Sequence, residues 1–528
     1  MRIHRFLFKK WVPDWLIKFT LLTVLLPSLV LFFLPLANIN AAAGNTGIET
    51  YDVYFSVVLF YAGYTSFFSL ERRFFSFLAA KEYFIVITFI QILSSYICFA
   101  TEEVALLFIC RFIQGMAFTM TVNLSLTMIF MQLRTEQART IGYSIFFGML
   151  VSMIPFNNLV TAEVVDAFNF NVLYKCAMFS YLPSLGLLLL IMNDVRLTTK
   201  FPLYQLDWAS FFFYAVILCL IGYIMVYGQQ YYWLDDQRIY YSCVAISGCA
   251  IVFIIRQLKM KRPYFYLEVF KYRNFWVGGL LLLIFYICRF AFGVATRHFQ
   301  FVLKLDPIHI GYITLWNIAG IVAGVVLACA YTLRYKPIRL LWIYGFLILL
   351  VYHAWMIFLF VPQANESAFY VPLFLHGLGV GLLIAPTTIY VITSVPEKLS
   401  STAAGICLFT RCFGFYLSIA LINYFELFAN SKHYNTFQFY VSKENSVFGQ
   451  VFSRYQEALL SHGASPSVTV RAGTKLLDEA LRTQSRIRFA VDYYEMICVL
   501  LVFTIILVSL FPYINKTLAS LRRGLPPF

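Results

Sequence analysis

Apolar segments, each about long enough to cross a bilayer, follow one another along almost the whole sequence. A membrane-spanning helix needs about 20 predominantly apolar residues, and inside lipid only helices and closed barrels satisfy every backbone hydrogen-bonding group. Hydrophobic residues make up 61% of the chain and charged residues 12%, which excludes a soluble globular protein. We therefore predict an all-α polytopic membrane protein with fourteen transmembrane helices. The predicted spans are residues 15–37, 52–70, 82–100, 103–130, 140–162, 171–192, 207–228, 239–256, 274–296, 307–331, 338–361, 367–392, 401–424 and 494–514.

The lysine and arginine residues indicate how these spans are oriented. With a cytoplasmic N-terminus, the inner termini and connections hold twenty-four basic residues. The short outer connections hold four, which are Lys175, Arg238, Arg297 and Lys304. Because basic loops are retained on the cytoplasmic side, this asymmetry predicts a multi-pass protein of the cell (inner) membrane with both termini in the cytoplasm. It also accounts for the net charge of +15 without nucleic acid as a partner.

One predicted outer connection, residues 425–493, is long. Long loops do not follow the charge rule, so its basic residues do not affect the orientation. Within it, residues 446–462 place apolar side chains near one helical face and Gly463 follows, which predicts an amphipathic helix. Two roles for the segment stay open: a loop packed on the outer surface, or a docking platform for a periplasmic adaptor.

An arginine lies in the middle of the fourth predicted span, in the sequence LFICRFIQG. A charge at that depth costs about 2.5 to 3.5 kcal/mol, so Arg111 is expected to face protein or water rather than lipid. Gln114 and Gly115 follow one helical turn later and supply a second polar group and a site of close helix approach. Arg111 is either a functional cation or an arginine that ties two helices together through backbone carbonyls.

A short internal repeat relates the fourth and twelfth predicted spans. The sequence LLFICRFIQG aligns with PLFLHGLGVG, so that three positions match. The matched pairs are Leu107 with Leu373, Phe108 with Phe374, and Gly115 with Gly381. A fourth helix that recurs eight spans later suggests two six-helix halves with two extra spans between them. Repeated halves around a central cavity are typical of transporters.

Several motifs resemble the major facilitator superfamily, in particular its fourteen-span branch of drug and proton antiporters. The fourth span carries the family-like Arg-x-x-Gln-Gly motif at Arg111, Gln114 and Gly115, and residues 206–210, LDWAS, resemble the start of the family's seventh span. The other matching residues are Gly377, Gly379, Gly381, Pro386, Gly405, Arg411 and Gly414. The resemblance covers nearly the whole chain.

This resemblance implies a major-facilitator-type fold that transports a small-molecule substrate by alternating access. The implied activity is proton-coupled export of amphiphilic or hydrophobic compounds, of the multidrug type, through a lipid bilayer. Arg111, Gln114, Gly115, Arg411 and Gly414 are implied to line or gate the cavity. The expected parts are 1–14 (cytoplasmic N-terminus), 15–192 (first half), 193–273 (two linking spans and a cytoplasmic loop), 274–514 (second half, with the 425–493 outer loop) and 515–528 (cytoplasmic tail).

The sequence departs from this branch at three places. The connection between spans 2 and 3 keeps Glu71, Arg72 and Arg73, which we assign to a cytoplasmic gating loop, but lacks the family's glycines. The fifth span has Gly148 and Pro155 with polar residues where small ones are usual, and the first span lacks the branch's aspartate. These departures bear on the expectation of proton antiport rather than on the expected fold.

Three arginines, Arg111, Arg289 and Arg411, are predicted deep in the membrane without an acidic residue at comparable depth. An isolated buried charge needs a partner or water. Either a wet central cavity satisfies these guanidinium groups, or the substrate itself is anionic. Because Arg289 belongs to no family motif, it is the stronger candidate for substrate contact.

Proton coupling needs a group whose protonation changes between the inward and outward states. The candidate carboxylates lie at the outer ends of predicted spans and are Glu163, Asp166, Glu102 and Glu103. Ordinary solvation at headgroup level is the simpler explanation for any one of these residues. The two interpretations stay open.

Other functional classes find less support in the sequence. The seven histidines form no metalloprotease-like motif, so a membrane-embedded enzyme is disfavoured. The eleven cysteines show no metal-ligand spacing, and neither a metal nor a cofactor is expected. No phosphate-binding loop is present, so an ion gradient is the expected energy source. Transport of an organic anion or a lipid-like metabolite by the intramembrane arginines remains the alternative function.

Overall fold

The structure, a computed structural model, describes residues 7–75, 78–133, 137–195, 207–260, 262–334, 337–441, 445–463 and 465–510. Within these ranges fourteen helical segments are long and apolar enough to cross a membrane, which confirms the all-α architecture. We number them as spans 1 to 14: Asp14–Ala37, Thr50–Phe75, Ala80–Ala100, Val104–Leu133, Ala138–Ala167, Asn171–Ile191, Trp208–Tyr227, Gln237–Lys259, Arg273–Phe290 with Phe292–Phe301, Pro307–Leu333, Ile338–Leu359, Tyr370–Thr393, Ser400–Phe439 and Pro466–Leu510.

The segment 425–493 is more helical than the sequence indicated. Span 13 continues without a break to Phe439, and span 14 already begins at Pro466. The predicted amphipathic helix is present as Ser446–Ser461, and its Phe452 packs beside Gly473 of span 14. Span 13 was predicted to end, and span 14 to begin, at the limits of their apolar runs. Polar residues nevertheless continue a helix readily once it leaves the membrane. The remaining short helices are Ile39–Thr46, Trp233–Asp235, Leu267–Lys271, Glu366–Phe369 and Glu397–Leu399.

Close glycine contacts join span 2 to span 4 and span 10 to span 12. A side chain at Gly115 would collide with the backbone carbonyl of Phe60, and one at Gly381 would collide with that of Ile321. Such small residues allow helix backbones to approach within a membrane. The two glycines matched by the internal repeat therefore make the same kind of contact in corresponding helix pairs.

Gly115→Val is expected to reduce the yield of folded protein strongly, because the new side chain would meet rigid backbone rather than a movable side chain. We expect a loss of about 3 kcal/mol in unfolding free energy or no folded material. Fluorescence-detected size exclusion measures the folded fraction. Gly186→Val is the matched control, since open space surrounds that helical position, and equal behaviour of the two variants would contradict the packing argument.

Spans 7 and 8 form a peripheral pair. Of span 8 only Ile239 and Gln257 are buried. Asp207 caps the start of span 7 by accepting a hydrogen bond from the Ser210 backbone N–H (3.1 Å), and Arg256 of span 8 donates to the same carboxylate at 2.8 Å. Burial alone would raise the pKa of Asp207, but hydrogen bonds from Ser210 and Arg256 outweigh it and lower that pKa below its ordinary value. The pair is therefore fastened at the end of the molecule opposite the mouth of the cavity described below.

The other spans pack as two groups that meet along a few helices. Spans 1 to 6 contact one another, and so do spans 9 to 14. The main contacts between the groups join span 5 to spans 10 and 12, and span 2 to span 13. These crossing helices surround the cavity described next.

Candidate functional site

A cavity lies between the two groups of spans. It encloses about 1450 Å³ of space, the open solvent at its mouth included, and is lined by spans 1, 2 and 5 from one group and spans 9, 10, 12 and 13 from the other. At the mouth are Asn38, Tyr54, Gln300 and Pro307, which lie near the helix ends where spans 1 and 9 finish and spans 2 and 10 begin. With the predicted orientation, this mouth faces the outside of the membrane.

Aromatic side chains form the floor of the cavity. The ring of Phe415 in span 13 lies 4.9 Å from that of Phe290 in span 9 and 5.8 Å from that of Tyr61 in span 2. Further from the mouth, a side chain at Gly405 of span 13 would come within 3.3 Å of the Ser69 side chain of span 2, so the two groups are again close together there. The space between the groups is therefore packed below the cavity and accessible above it.

Arg289 lies at the floor of the cavity and bridges the two groups of spans. Its side chain is 4% exposed, and its Nη2 donates to the carbonyl oxygen of Val151 in span 5 at 3.3 Å. That carbonyl has no partner in its own helix, because Pro155 four residues later has no N–H. Nη1 has no hydrogen-bond partner within the described part of the chain. Arg289 therefore places an unneutralised cation at the cavity floor, and its Nη1 is buried beneath the cavity surface.

Arg411 lies just beneath this floor and does not line the cavity. Its Nε donates to the Tyr286 hydroxyl at 2.8 Å, and its guanidinium lies 4.8 Å from the ring centre of Phe147 in span 5. Gly414 leaves room for Tyr286, since a side chain there would come within 2.8 Å of the Tyr286 Cβ. Arg411 is thus held by aromatic groups from both halves of the bundle.

Arg111 is fully buried in the first group of spans, away from the cavity. It donates to the backbone carbonyls of Leu31 and Phe32 in span 1 and to Gln114 Oε1, each at 2.9 Å. The Leu31 carbonyl lacks a helical partner because Pro35 has no N–H. The geometry matches the helix-tying alternative, and a gating role for Arg111 stays a prediction.

An ion pair lies beside the cavity mouth. Arg297, at the end of span 9, pairs with Glu426 of span 13 and donates to the Tyr54 hydroxyl of span 2 at 2.7 Å. Arg297 was predicted to lie in an outer connection, and no partner was predicted for it. This contact links the two groups of spans at the end where the cavity opens.

The four candidate coupling carboxylates do not line the cavity. Glu102, Glu103, Glu163 and Asp166 are all exposed near helix ends. Among the residues that the structure describes, no group of three His, Cys, Asp or Glu side chains is arranged to hold a metal ion. The coupling role of these carboxylates stays a prediction.

The predicted gating loop is only partly described. Glu71 is buried and accepts hydrogen bonds from Tyr83 and from Asn123 Nδ2, the latter at 2.6 Å. The side chains of Arg72 and Arg73 lie outside the described part of the chain. Glu71 therefore connects spans 2, 3 and 4 at the end opposite the cavity mouth.

Two polar residues of the cavity wall were missed by sequence reasoning. His376 of span 12 and Asn317 of span 10 both line the cavity and are hydrogen-bonded to each other. The internal repeat contained a signal for His376, because the aligned sequences place it opposite Cys110, next to Arg111. No feature of the sequence marked Asn317 as functional, because an asparagine in an apolar span has many structural uses.

Known proteins resemble this chain in sequence and in fold. No family model matches the sequence. The chain is 21% identical over 399 residues to the colistin resistance protein EmrB of Acinetobacter baumannii. This alignment covers 72% of this chain and 74% of that protein. The peptide transporter POT in complex with sulfate aligns with a TM-score of 0.54 at 12% identity and 96% coverage of each chain. The human organic anion transporter MFSD10 (TETRAN) aligns with a TM-score of 0.51 at 10% identity, covering 78% of this chain and 93% of that one.

Proposed function

We propose that this chain is a divergent member of the major facilitator superfamily and a secondary active transporter that exports amphiphilic or hydrophobic compounds. The observation that carries the proposal is the cavity between the two groups of spans, accessible at one end and packed at the other. A binding site accessible from one side at a time is what alternating access requires. The proposed energy source is the movement of protons into the cell. Both termini are proposed to lie in the cytoplasm.

The walls of the cavity suit a ligand with a large apolar part. Phe290, Phe292 and Phe415 offer aromatic faces, and Ile154 and Ile310 add aliphatic surface. Sites for small organic ligands are lined mainly by such residues, with a few polar groups that fix orientation. The likeness to a protein named for colistin resistance supports export as the direction of transport. A docking role of residues 425–493 for a periplasmic adaptor stays a prediction.

Transport of organic anions is the second candidate function. It is favoured by one observation, the unneutralised Arg289 at the cavity floor with its unpaired Nη1. A cationic ligand would be repelled there, whereas a carboxylate or sulfonate would supply the missing partner. The candidates therefore differ in the ligand charge that the cavity accepts.

Purified protein in liposomes with an imposed pH gradient tests the proposal. Three fluorescent amphiphiles with the same apolar body and a cationic, zwitterionic or anionic headgroup are followed across the membrane, together with the internal pH. Gradient-driven movement of the amphiphiles, with proton movement in the opposite direction, is the expected result. Movement of the anionic compound alone would favour the second candidate, and movement of none of them would contradict both.

A further inference from the structure

His376 of span 12 and Asn317 of span 10 make a polar contact on the cavity wall. His376 is 3% exposed, its ring stacks on Phe292 at 5.1 Å, and Tyr352 lies 4.7 Å away. Its Nδ1 lies 2.8 Å from the amide nitrogen of Asn317. The wall thus carries a titratable ring in a fixed position, while the candidate carboxylates at the helix ends are exposed and outside the cavity.

The hydrogen bonds of Asn317 determine which imidazole nitrogen carries the proton. The Asn317 Nδ2 also donates to the backbone carbonyl of Leu373 at 3.0 Å, so its two N–H groups point to Leu373 and His376. An amide nitrogen only donates, so Nδ1 of His376 must accept. The ring is therefore neutral in this arrangement and carries its proton on Nε2, on the side of the ring that approaches the backbone of Arg289.

Protonation of His376 would change this arrangement. The incoming proton binds Nδ1, Nε2 keeps its own proton, and both nitrogens become donors. Nδ1–H then faces the Asn317 amide hydrogens, so the amide must rotate to offer its oxygen, and its bond to Leu373 breaks. Spans 10 and 12 have little room for such a change, because a side chain at Gly377 would already collide with the Asn317 backbone carbonyl.

The groups that face His376 act on the charge it would gain. Arg289 of span 9 and His353 of span 11 interact with it electrostatically, and the Tyr352 ring of span 11 lies against it. Tyr494 of span 14 reaches the same cluster through a 3.0 Å contact between its hydroxyl and that of Tyr352. The Arg289 cation opposes a second cation close by. A ligand whose charge offsets that of Arg289 would therefore alter proton binding at His376.

We propose that His376 is the proton-binding residue of this transporter and that Asn317 transmits its protonation to the packing of spans 10 and 12. This inference rests on the proposed proton-coupled transport. The proton binds on the cavity wall itself, next to the floor where the substrate is expected. Substrate binding and proton binding then affect each other directly, as coupling requires.

The experiment measures proton release or uptake when the zwitterionic amphiphile binds to the purified full-length protein in weakly buffered detergent solution. For the wild type we expect a proton change on binding and an affinity that depends on pH. His376→Gln should bind with no proton change and with an affinity that is constant from about pH 5.5 to 8. His298→Gln is the matched control, since that histidine is buried but does not line the cavity, and it should behave as the wild type.

Asn317→Ala tests whether Asn317 affects proton binding at His376 or only stabilises the fold. Removing the donor to Nδ1 removes a hydrogen bond that favours the neutral ring, so the midpoint of the pH dependence should rise by about one pH unit. No pH dependence should remain when His376→Gln is added. A proton change that persists in His376→Gln would overturn the inference while leaving the proposed function standing. A wild type that transports without any proton movement would overturn the proposed coupling itself.

Discussion

Arg111→Ala is expected to lower the unfolding free energy by about 3 kcal/mol and to abolish transport with it. The substitution removes hydrogen bonds to Leu31, Phe32 and Gln114, and a bond to a charged donor contributes about 1.5 to 3 kcal/mol. Relief of a buried charge offsets part of this loss. The loss prevails because the Leu31 carbonyl, four residues before Pro35, then has no donor at all. Thermal unfolding of the purified protein measures the effect without any substrate.

Pro35→Ala is the partner substitution for a double-mutant cycle with Arg111→Ala. It returns a helical N–H to the Leu31 carbonyl, so in the Arg111→Ala background it should recover about 1 kcal/mol. In the wild-type background the same change should have a smaller effect, because Arg111 already satisfies that carbonyl. Loss of transport with an unchanged unfolding temperature and no recovery by Pro35→Ala would instead assign Arg111 to gating or substrate contact.

The transmembrane architecture was predictable because it depends on properties of single segments. A run of apolar residues determines that a span exists, and the spacing of Arg111 and Gln114 on one helical face predicts their contact. The extension of span 13 to Phe439 was missed because hydropathy reports the end of the membrane rather than the end of the helix. Local patterns therefore gave the spans but not their full lengths.

The cavity could be predicted only in part, because its residues come from separate helices. Pro155 shows in the sequence that the Val151 carbonyl lacks a partner, but only the tertiary arrangement of the spans assigns Arg289 of span 9 to it. Likewise His376 and Asn317 meet because spans 10 and 12 pack at their glycines. No local pattern in the sequence specifies the rotation of the two helices that brings these side chains together. The sequence thus identified which side chains need partners, and the tertiary contacts select them.

Arg289→Gln is expected to change the charge preference of the cavity while leaving the fold intact. Glutamine is two bonds shorter than arginine and gives up the bond to the Val151 carbonyl, but that bond is long, at 3.3 Å, so its loss should cost little stability. The cation at the floor disappears, so affinity for the anionic amphiphile should fall by about 30-fold, which corresponds to roughly 2 kcal/mol for a buried charge pair. Affinity for the cationic amphiphile should rise. Equilibrium binding of the three headgroup variants to the purified protein measures both changes.

Arg411→Gln is the comparison variant for Arg289→Gln, because it removes a charge that supports the cavity floor without lining the cavity. Arg411 lies beneath the floor, holds the Tyr286 hydroxyl at 2.8 Å and does not line the cavity. Its removal should weaken all three amphiphiles by a similar factor and lower the unfolding temperature, because it loosens the aromatic floor rather than changing the ligand's partner. If Arg289→Gln also weakens the three compounds equally, Arg289 supports the floor as Arg411 does, and the anion-binding alternative loses the observation on which it depends.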